Sequence, residues 1–210
     1  GIRDDLVTGV QTCALPISAD RAKYEEQMQF DGYEGFRIRE FLGLGAKRSG
    51  VAQERSHYIP VEFIEPFSPA TMRIIGADLD SHPLVQELID EATETGEVKA
   101  RSTGDLLHGR LNYLLAKAVY FGHVRPDSAE SRQRQLSGIF LALVDLENAL
   151  LTLHEEAPEF HLTLRPTGAA DNQRNAFTLQ SSTAGVIDWM RLSTSAMVNV
   201  SSRDLELTVS

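Results

Sequence analysis

Cysteine is almost missing from this sequence, since Cys13 is the single one among 210 residues. One thiol cannot supply the four ligands of a tetrahedral metal site. A catalytic cysteine needs a neighbouring base and an electropositive setting, but Asp4 and Asp5 precede Cys13 and the first histidine is His57. The sequence therefore excludes a thiol enzyme and a cysteine-based metal centre.

Clusters of positive charge and long apolar runs are missing as well. The net charge is −10, and no run of basic residues is longer than the pair Lys47-Arg48. Nucleic-acid binding needs a clustered basic footprint, and so does adhesion to anionic lipids. No window approaches the 18 or so uninterrupted apolar residues of a membrane span. The composition, 42% hydrophobic and 24% charged, is that of a folded soluble domain without a nucleic-acid partner.

Motifs that carry catalysis are also absent. The six histidines are scattered without HExxH spacing, and neither GxSxG nor GxxxxGK[ST] occurs. Glu65 and Asp78 each follow an apolar stretch, where a buried carboxylate needs a partner. We therefore predict no catalytic residue, no metal ligand and no cofactor, and the residues alone favour a binding module.

The first 17 residues resemble a sequencing adapter more than a native protein segment. The segment VTGVQTCALPI resembles the conceptual translation of a sequencing adapter, and GIRD resembles the primer segment upstream of it. Asp5-Leu6 fills the place of a six-base barcode. We interpret residues 1–17 as an artefact that is not native, and expect the protein to begin near Ser18 and to be truncated at both ends. This interpretation predicts that residues 1–17 do not pack on the core and that Cys13 is not buried.

The remaining pattern predicts an α+β fold with a largely antiparallel sheet. Residues 18–55 are predicted to be mostly helical, with breaks around Asp31-Gly32 and Gly43–Gly45. A helix capped by Asp80 or Ser81, with Pro83 in its first turn, is predicted to end at Gly96. Strands are predicted at 97–102, 111–121 and 136–146, with a helix starting at Asp145 behind the last of them. Further strands are predicted at 160–165, 174–180, 196–200 and 204–209, with a short helix near 184–192.

From Tyr58 onward the order of motifs resembles the CHASE domain, the extracytoplasmic sensor of transmembrane histidine kinases and nucleotide or diguanylate cyclases. The resemblance covers about residues 58–151. The motifs that carry it are YIPVEFIEP (58–66), IIGADLDSHP (74–83), LIDEATETG (88–96), KAVY (117–120) and LSGIFLALVDLENALL (136–151).

The resemblance implies a long N-terminal helix (18–55) followed by PAS-like antiparallel-sheet subdomains, a membrane-distal core (56–151) and a membrane-proximal second subdomain (152–210). In the plant cytokinin receptors of the family, an aspartate of G-x-D and the backbone after A-x-x-T-G hold an adenine-type ligand. By this resemblance the ligand-binding residues are Asp78, Thr95, Lys99, Ala100, Arg101 and Tyr120.

The sequence departs from the family pattern at Ile59 and Ala118, which replace a Phe and a Pro. Lys99 and Arg101 follow the Thr-Gly turn, and two cations suit a small anion better than a neutral purine. The resemblance thus predicts a ligand-binding sensor in the periplasmic portion of an inner-membrane receptor, without catalysis of its own, as a homodimer whose flanking transmembrane helices are lost. Two alternatives stay open: a small soluble enzyme with an unrecognised site, and a ligand-free dimerisation module.

Overall fold

The computed structural model describes residues 7–12, 16–43, 50–69, 71–103, 112–156, 160–166, 177–179, 194–200 and 203–209. Within these ranges the helices are α1 (Arg21–Phe30), α2 (Pro83–Thr95), α3 (Ala129–Arg134) and α4 (Leu146–Glu156). The strands are β1 (Val7–Thr12), β2 (Arg39–Glu40), β3 (Phe63–Glu65), β4 (Ala77–Asp78), β5 (Lys99–Ser102), β6 (Asn112–Tyr120), β7 (Leu136–Asp145), β8 (Leu162–Pro166), β9 (Phe177–Leu179), β10 (Thr194–Val200) and β11 (Arg203–Val209). The α+β class predicted from the sequence is confirmed.

A five-stranded sheet forms the centre of the fold, in the order β3-β1-β7-β6-β5. Every neighbouring pair in it is antiparallel. The longest pairing joins β6 to β7, with Ala116 opposite Leu141 and a register shift between Val119 and Tyr120. β5 lies at one end of the sheet, and this position matters for the site described below.

Helix α2 covers one face of this sheet and encloses the main core. Alternate residues of a strand point to the same face, and on β6 the two alanines Ala116 and Ala118 leave room for the helix. Pro83 occupies its first turn, and Gly96 ends it with a left-handed φ of +69°, as predicted. The buried residues that meet here are Val85, Leu88, Ile89 and Ala92 of α2, Leu114, Ala116, Ala118 and Tyr120 of β6, and Ile139 and Leu141 of β7.

The cap predicted for α2 is wrong. Asp80 and Ser81 lie in a 3₁₀ turn (Leu79–Ser81) that precedes the helix, and His82 is the N-cap residue without a side-chain cap bond. The hydroxyl of Ser81 instead donates to the carbonyl of Asp78 at 2.6 Å. The side chain of Ser81, which could cap an ordinary helix start, is therefore bonded within the 3₁₀ turn.

The long N-terminal helix that the resemblance implies for 18–55 is also wrong, whereas the break predicted at Asp31-Gly32 is confirmed. After a 3₁₀ turn (Ser18–Asp20), α1 spans only Arg21–Phe30. Gly32 and Gly35 follow with φ of +104° and +69°, which a right-handed helix does not accommodate. Beyond this turn the chain is mostly extended, and Phe36 and Ile38 pack with Met28 in a second buried cluster.

The prediction that residues 1–17 would not pack on the core is wrong for the described part of that stretch. β1 lies between β3 and β7 and pairs along its whole length, from Val7 opposite Val144 to Thr12 opposite Ile139. Backbone groups of a buried strand require hydrogen-bond partners, and β1 supplies them for β7. Cys13 lies outside the described residues, and the origin of the stretch stays a prediction.

A second sheet follows the central one, in the order β10-β11-β8-β9. Helix α4 leads into it and starts where predicted, because the Asp145 carboxylate accepts from the backbone N–H of Asn148 at 2.9 Å. Tyr113, Leu150 and Leu164 form a small buried cluster that joins the central sheet, α4 and β8. The short helix predicted near 184–192 lies outside the described residues.

Candidate ligand-binding site

Asp78 is completely buried and fully hydrogen-bonded. Its Oδ1 accepts from the backbone N–H groups of Ile59 at 2.8 Å and Asp80 at 3.3 Å, while its Oδ2 accepts from the guanidinium of Arg55 at 3.0 Å. Burial raises the pKa of Asp78 above its usual range, although these hydrogen bonds and Arg55 counteract the effect. The carboxylate ties the start of α2 to the strand region before it.

Arg55 joins Asp78 to a second carboxylate, that of Glu40 on β2. The Nη2 atom of Arg55 donates to both oxygens of Glu40, at 3.0 and 2.9 Å. Burial alone would raise the pKa of Glu40, but the bonds from Arg55 and from the Gln53 N–H outweigh it, so this pKa is lowered. Glu40, Arg55 and Asp78, which we call the buried ion network, fasten the short parallel pair β2–β4 together.

Gly76, the first residue of the G-x-D motif, is required by the backbone geometry. Its φ is +81°, and a Cβ placed there would lie 2.8 Å from the carbonyl oxygen of Arg37 and 3.1 Å from the ring of Phe36. A side chain would therefore meet both strain and a backbone clash. The glycine of the motif serves the close approach of two segments, while Asp78 anchors them.

Thr95, Gly96 and Tyr120 meet at the other end of α2. The Thr95 hydroxyl donates to the carbonyl of Glu91 at 2.8 Å, and the Tyr120 hydroxyl donates to the carbonyl of Thr93 at 3.2 Å. Burial raises the pKa of Tyr120, so its phenol remains a donor. These side chains fix the C-terminal turn of the helix.

The two cations of β5 are already paired with glutamates of α2. Arg101 donates to Glu87 at 2.6 Å and to Glu91 at 3.4 Å, and Lys99 lies 3.7 Å from Glu91. The Nε atom of Arg101 is nonetheless buried without a hydrogen-bond partner. Ala100 between them is 3% exposed. The pairs lie on the α2 side of the sheet edge, and two charges of each sign cancel there.

The structure thus brings five of the six predicted site residues together and leaves the sixth apart. Thr95, Lys99 and Arg101 share the partner Glu91, while Tyr120 bonds two residues before Thr95. Asp78 lies before the opposite end of α2, whose 13 residues span about 20 Å. The sequence motif gave no sign of this separation.

Cations that the sequence analysis missed surround the C-terminal end of α2. Lys117 donates to the carbonyl of Gly96 at 2.8 Å, Arg132 donates to the carbonyl of Glu94 at 2.8 Å, and Arg125 pairs with Glu97. Positive groups at a helix C-terminus complement its dipole. These cations lie 21, 28 and 38 residues along the chain from their partners, so no local sequence signal connects them with α2.

A separate cavity of about 520 Å³ lies between the turn at 32–37 and the segment 67–75. Apolar side chains and two arginines line it, and none of the six predicted site residues does. Its main lining side chains are Tyr33, Phe36, Arg37, Arg39, Phe67 and Met72.

In the part of the chain that the structure describes, no group of three or more histidine, cysteine or acidic side chains is placed to hold a metal ion. The hydrogen-bond partners of the Asp78 carboxylate there are Arg55, Ile59 and Asp80, and His57 lies 3.5 Å from Asp80. Within the described residues, no helix is both long and apolar enough to cross a bilayer.

The described residues thus form an α+β domain with an antiparallel central sheet, one covering helix and an ion network at the start of that helix. A family model of the CHASE domain matches residues 5–177. The chain belongs to the CHASE domain family, whose members are extracytoplasmic sensor domains of signalling receptors. The resemblance drawn from the motifs is confirmed, and the family role is sensory rather than catalytic. No curated protein matched the chain.

Proposed function

We propose that this domain is the ligand-binding sensor of a bacterial transmembrane receptor, either a histidine kinase of a two-component system or a diguanylate cyclase. In this proposal the domain lies in the periplasm, and ligand binding shifts an equilibrium between two packings that flanking transmembrane helices carry inward. The observation that carries the proposal is the family match over residues 5–177. The antiparallel sheet covered by α2 supports the PAS-like character expected for the ligand-binding subdomain.

The proposed ligand site is the free edge of β5 together with the C-terminal end of α2. Among the described strands β5 pairs only with β6, so half of its backbone N–H and C=O groups face outward. A ligand can use these groups as an added strand would. The unpartnered Nε of Arg101 supports the same position, because an orphaned buried donor favours a ligand acceptor.

The pairing of the cations bears on the class of ligand. Glu87 and Glu91 already neutralise Lys99 and Arg101, so a small anion would have to displace a carboxylate before it gained a partner. A neutral, planar, adenine-type ligand can bond to the strand edge without breaking either pair. We therefore propose the adenine-type ligand over the small anion.

Asp78 enters the proposal as a positioning residue. Both of its carboxylate oxygens are occupied and none of its surface is exposed, so a direct ligand contact would have to break the buried ion network. Its proposed role is to hold the start of α2, and through α2 the site at its far end. We further propose that the receptor is a homodimer, and light scattering of the purified domain tests this.

A thermal-shift screen of the domain tests the proposed function. The panel contains adenine, N6-substituted adenines and small dicarboxylates. We expect an adenine-type compound to raise Tm, and Arg101→Met to abolish the rise. The control is Arg134→Met, since among the described residues Arg134 makes only a 3.4 Å hydrogen bond to the Glu130 carbonyl of its own helix. A hit that Arg101→Met leaves unchanged would contradict the proposed site, and stabilisation by dicarboxylates alone would reverse the assignment of ligand class.

A further inference from the structure

We infer that the cavity between the turn at 32–37 and the segment 67–75 is a second small-molecule site, which takes an aromatic carboxylate. Its volume of about 520 Å³ lies within the range of small-molecule pockets, about 300–1,000 Å³. It is lined by residues of the N-terminal turn and of the segment before G-x-D, and it does not share a residue with the β5 edge. The inference therefore stands apart from the proposed function.

Apolar side chains around the cavity are left unusually open to water. Phe67 is 65% exposed, Met72 is 49% exposed and Tyr33 is 39% exposed, although all three line one concave surface. Covering such side chains with a ligand removes apolar area from water, which is favourable at about 25 cal/mol per Å². The lining therefore favours a ligand with an apolar body.

The aromatic side chains form a rigid wall that suits a flat ring. Phe36 is buried and packs edge-to-face against Tyr24, with ring centroids 5.8 Å apart. Tyr33 meets the same Phe36 at 6.3 Å and an interplanar angle of 65°. Because aromatic pairs prefer such edge-to-face and offset arrangements, a planar ring can join the array beside Phe67 without rearranging it.

Two arginines give the cavity a positive charge. Arg39 is held in place, since its Nη2 donates to the carbonyls of Arg73 at 2.8 Å and Ile75 at 2.6 Å, which leaves its other guanidinium edge for a ligand. Arg37 shares the single carboxylate of Glu25 with Arg21, each at 3.0 Å.

The acidic lining does not cancel this charge. Glu34 is the one carboxylate among the lining residues. Glu25 is shared by Arg37 and Arg21, so with Arg39 the three arginines outnumber the two carboxylates. The local excess is positive in a chain of net charge −10, and guanidinium groups match the geometry of a carboxylate. The aromatic wall and the positive charge of the cavity together indicate an aromatic carboxylate as its ligand.

Strand β2 connects this cavity with the buried ion network. Successive residues of a strand point to opposite faces: Arg39 reaches the carbonyls at the cavity, and Glu40 beside it bonds to Arg55. Gly76, in close contact with Phe36, leads directly into Asp78. A ligand in the cavity would thus contact the same short strands that hold the start of α2.

The test is titration of the whole chain with phenylacetate and benzoate, followed by calorimetry and by amide chemical shifts. We expect saturable binding with shifts at Gly32 and Gly35. The neutral phenylacetamide should bind about tenfold more weakly or worse, because it loses a charge-assisted hydrogen bond.

Phe67→Ala and Arg39→Met should each weaken binding of the carboxylate about tenfold or more. Phe67 is mostly exposed, so Phe67→Ala should fold and still tests the site if Arg39→Met does not fold. The matched control is Phe121→Ala, since Phe121 is 66% exposed in the turn after β6 and does not line the cavity. Equal affinity for acid and amide, no effect of Phe67→Ala, or no binding at all would overturn the inference.

The same variants separate this site from the β5 edge. Arg101→Met should leave binding of phenylacetate unchanged, and Phe67→Ala should leave stabilisation by an adenine-type compound unchanged. Loss of aromatic-acid binding in Arg101→Met would place that ligand at the β5 edge and overturn the second site alone. Failure of the adenine screen would leave the aromatic-acid result intact.

Discussion

Replacing Arg55 with methionine tests the physical basis of the buried ion network. The substitution keeps a long side chain, which is 25% exposed, but removes two hydrogen bonds to Glu40 and one to Asp78. Asp78 then keeps only the backbone donors of Ile59 and Asp80 and has no counter-charge. A buried carboxylate in that position must either stay ionised at a high cost or take up a proton.

Breaking a buried ion pair by removing one partner costs about 3–5 kcal/mol. For a chain of this size we expect Arg55→Met to lower Tm by about 6–20 °C at neutral pH. Asp78→Asn in the same background removes the stranded charge while keeping an acceptor for the Ile59 N–H. The double variant should therefore regain part of the loss, and the four proteins form a double-mutant cycle.

The loss of stability in Arg55→Met depends on pH in a definite direction. The folded-state pKa of Asp78 is raised above its ordinary value. Its contribution to the stability of the fold is therefore complete below the ordinary pKa and is lost as pH rises through the folded-state pKa. The folded-state pKa of Glu40 is lowered, so its contribution is present above the ordinary pKa and is lost as pH falls through the folded value. Arg55 favours the charged form of both groups.

The difference in Tm between wild type and Arg55→Met should therefore be largest near pH 7 and should shrink toward about pH 4. Thermal unfolding followed by circular dichroism at both pH values measures it, with Arg134→Met as the control. A fall of less than about 3 °C at pH 7, which is about 1 kcal/mol, would refute the reasoning, as would a difference that does not shrink in acid.

Three further predictions concern single positions. Gly76→Ala should lower the free energy of unfolding by about 1–3 kcal/mol more than Gly32→Ala, because both glycines have a positive φ but only Gly76 meets backbone within 3 Å; equal losses in urea unfolding would contradict this. Tyr120→Phe should cost about 1–3 kcal/mol, since it strands the buried carbonyl of Thr93, and an unchanged urea midpoint would show that this bond is not stabilising. Sequencing of the genomic locus across Ser18 should show a coding segment upstream of Ser18 that differs from residues 1–17. An in-frame genomic VTGVQTCALPI would contradict the adapter interpretation.

Regular elements could be predicted where periodicity and end signals agreed. Leu88, Ile89 and Ala92 have the spacing of one helix face between Pro83 and Gly96, and the structure places α2 there. The apolar run of β7 and the start of α4 after Asp145 were likewise clear from local chemistry. In each case the local preference and the tertiary packing coincide.

Beyond the predicted break at Asp31-Gly32, the segment 33–42 could not be predicted, because its apolar residues serve tertiary contacts rather than a helix face. Phe36 and Ile38 are two residues apart, a strand-like spacing, and they reach Met28 and Tyr58 across two positive-φ glycines. Short-range periodicity is blind to such contacts.

In the candidate site, motifs identified some residues but not the residues that bond to them. Asp78 and Thr95 were found through their motifs, whereas no motif marks their partners. Arg55 lies 23 residues before Asp78 and 15 residues after Glu40, in a polar stretch without periodicity. The pairing of Glu87 and Glu91 with the cations of β5 depends on the fold, which places β5 beside α2. Charge neutralisation between distant segments is a property of the fold, and it altered the expected class of ligand.

We propose that this CHASE domain binds a small molecule at the β5 edge, and amide chemical-shift mapping of an adenine-type hit tests that proposal most directly. We expect saturable shifts confined to residues 95–102 and to Tyr120, lost in Arg101→Met and retained in Arg134→Met. Saturable shifts elsewhere, with residues 95–102 unmoved, would contradict it.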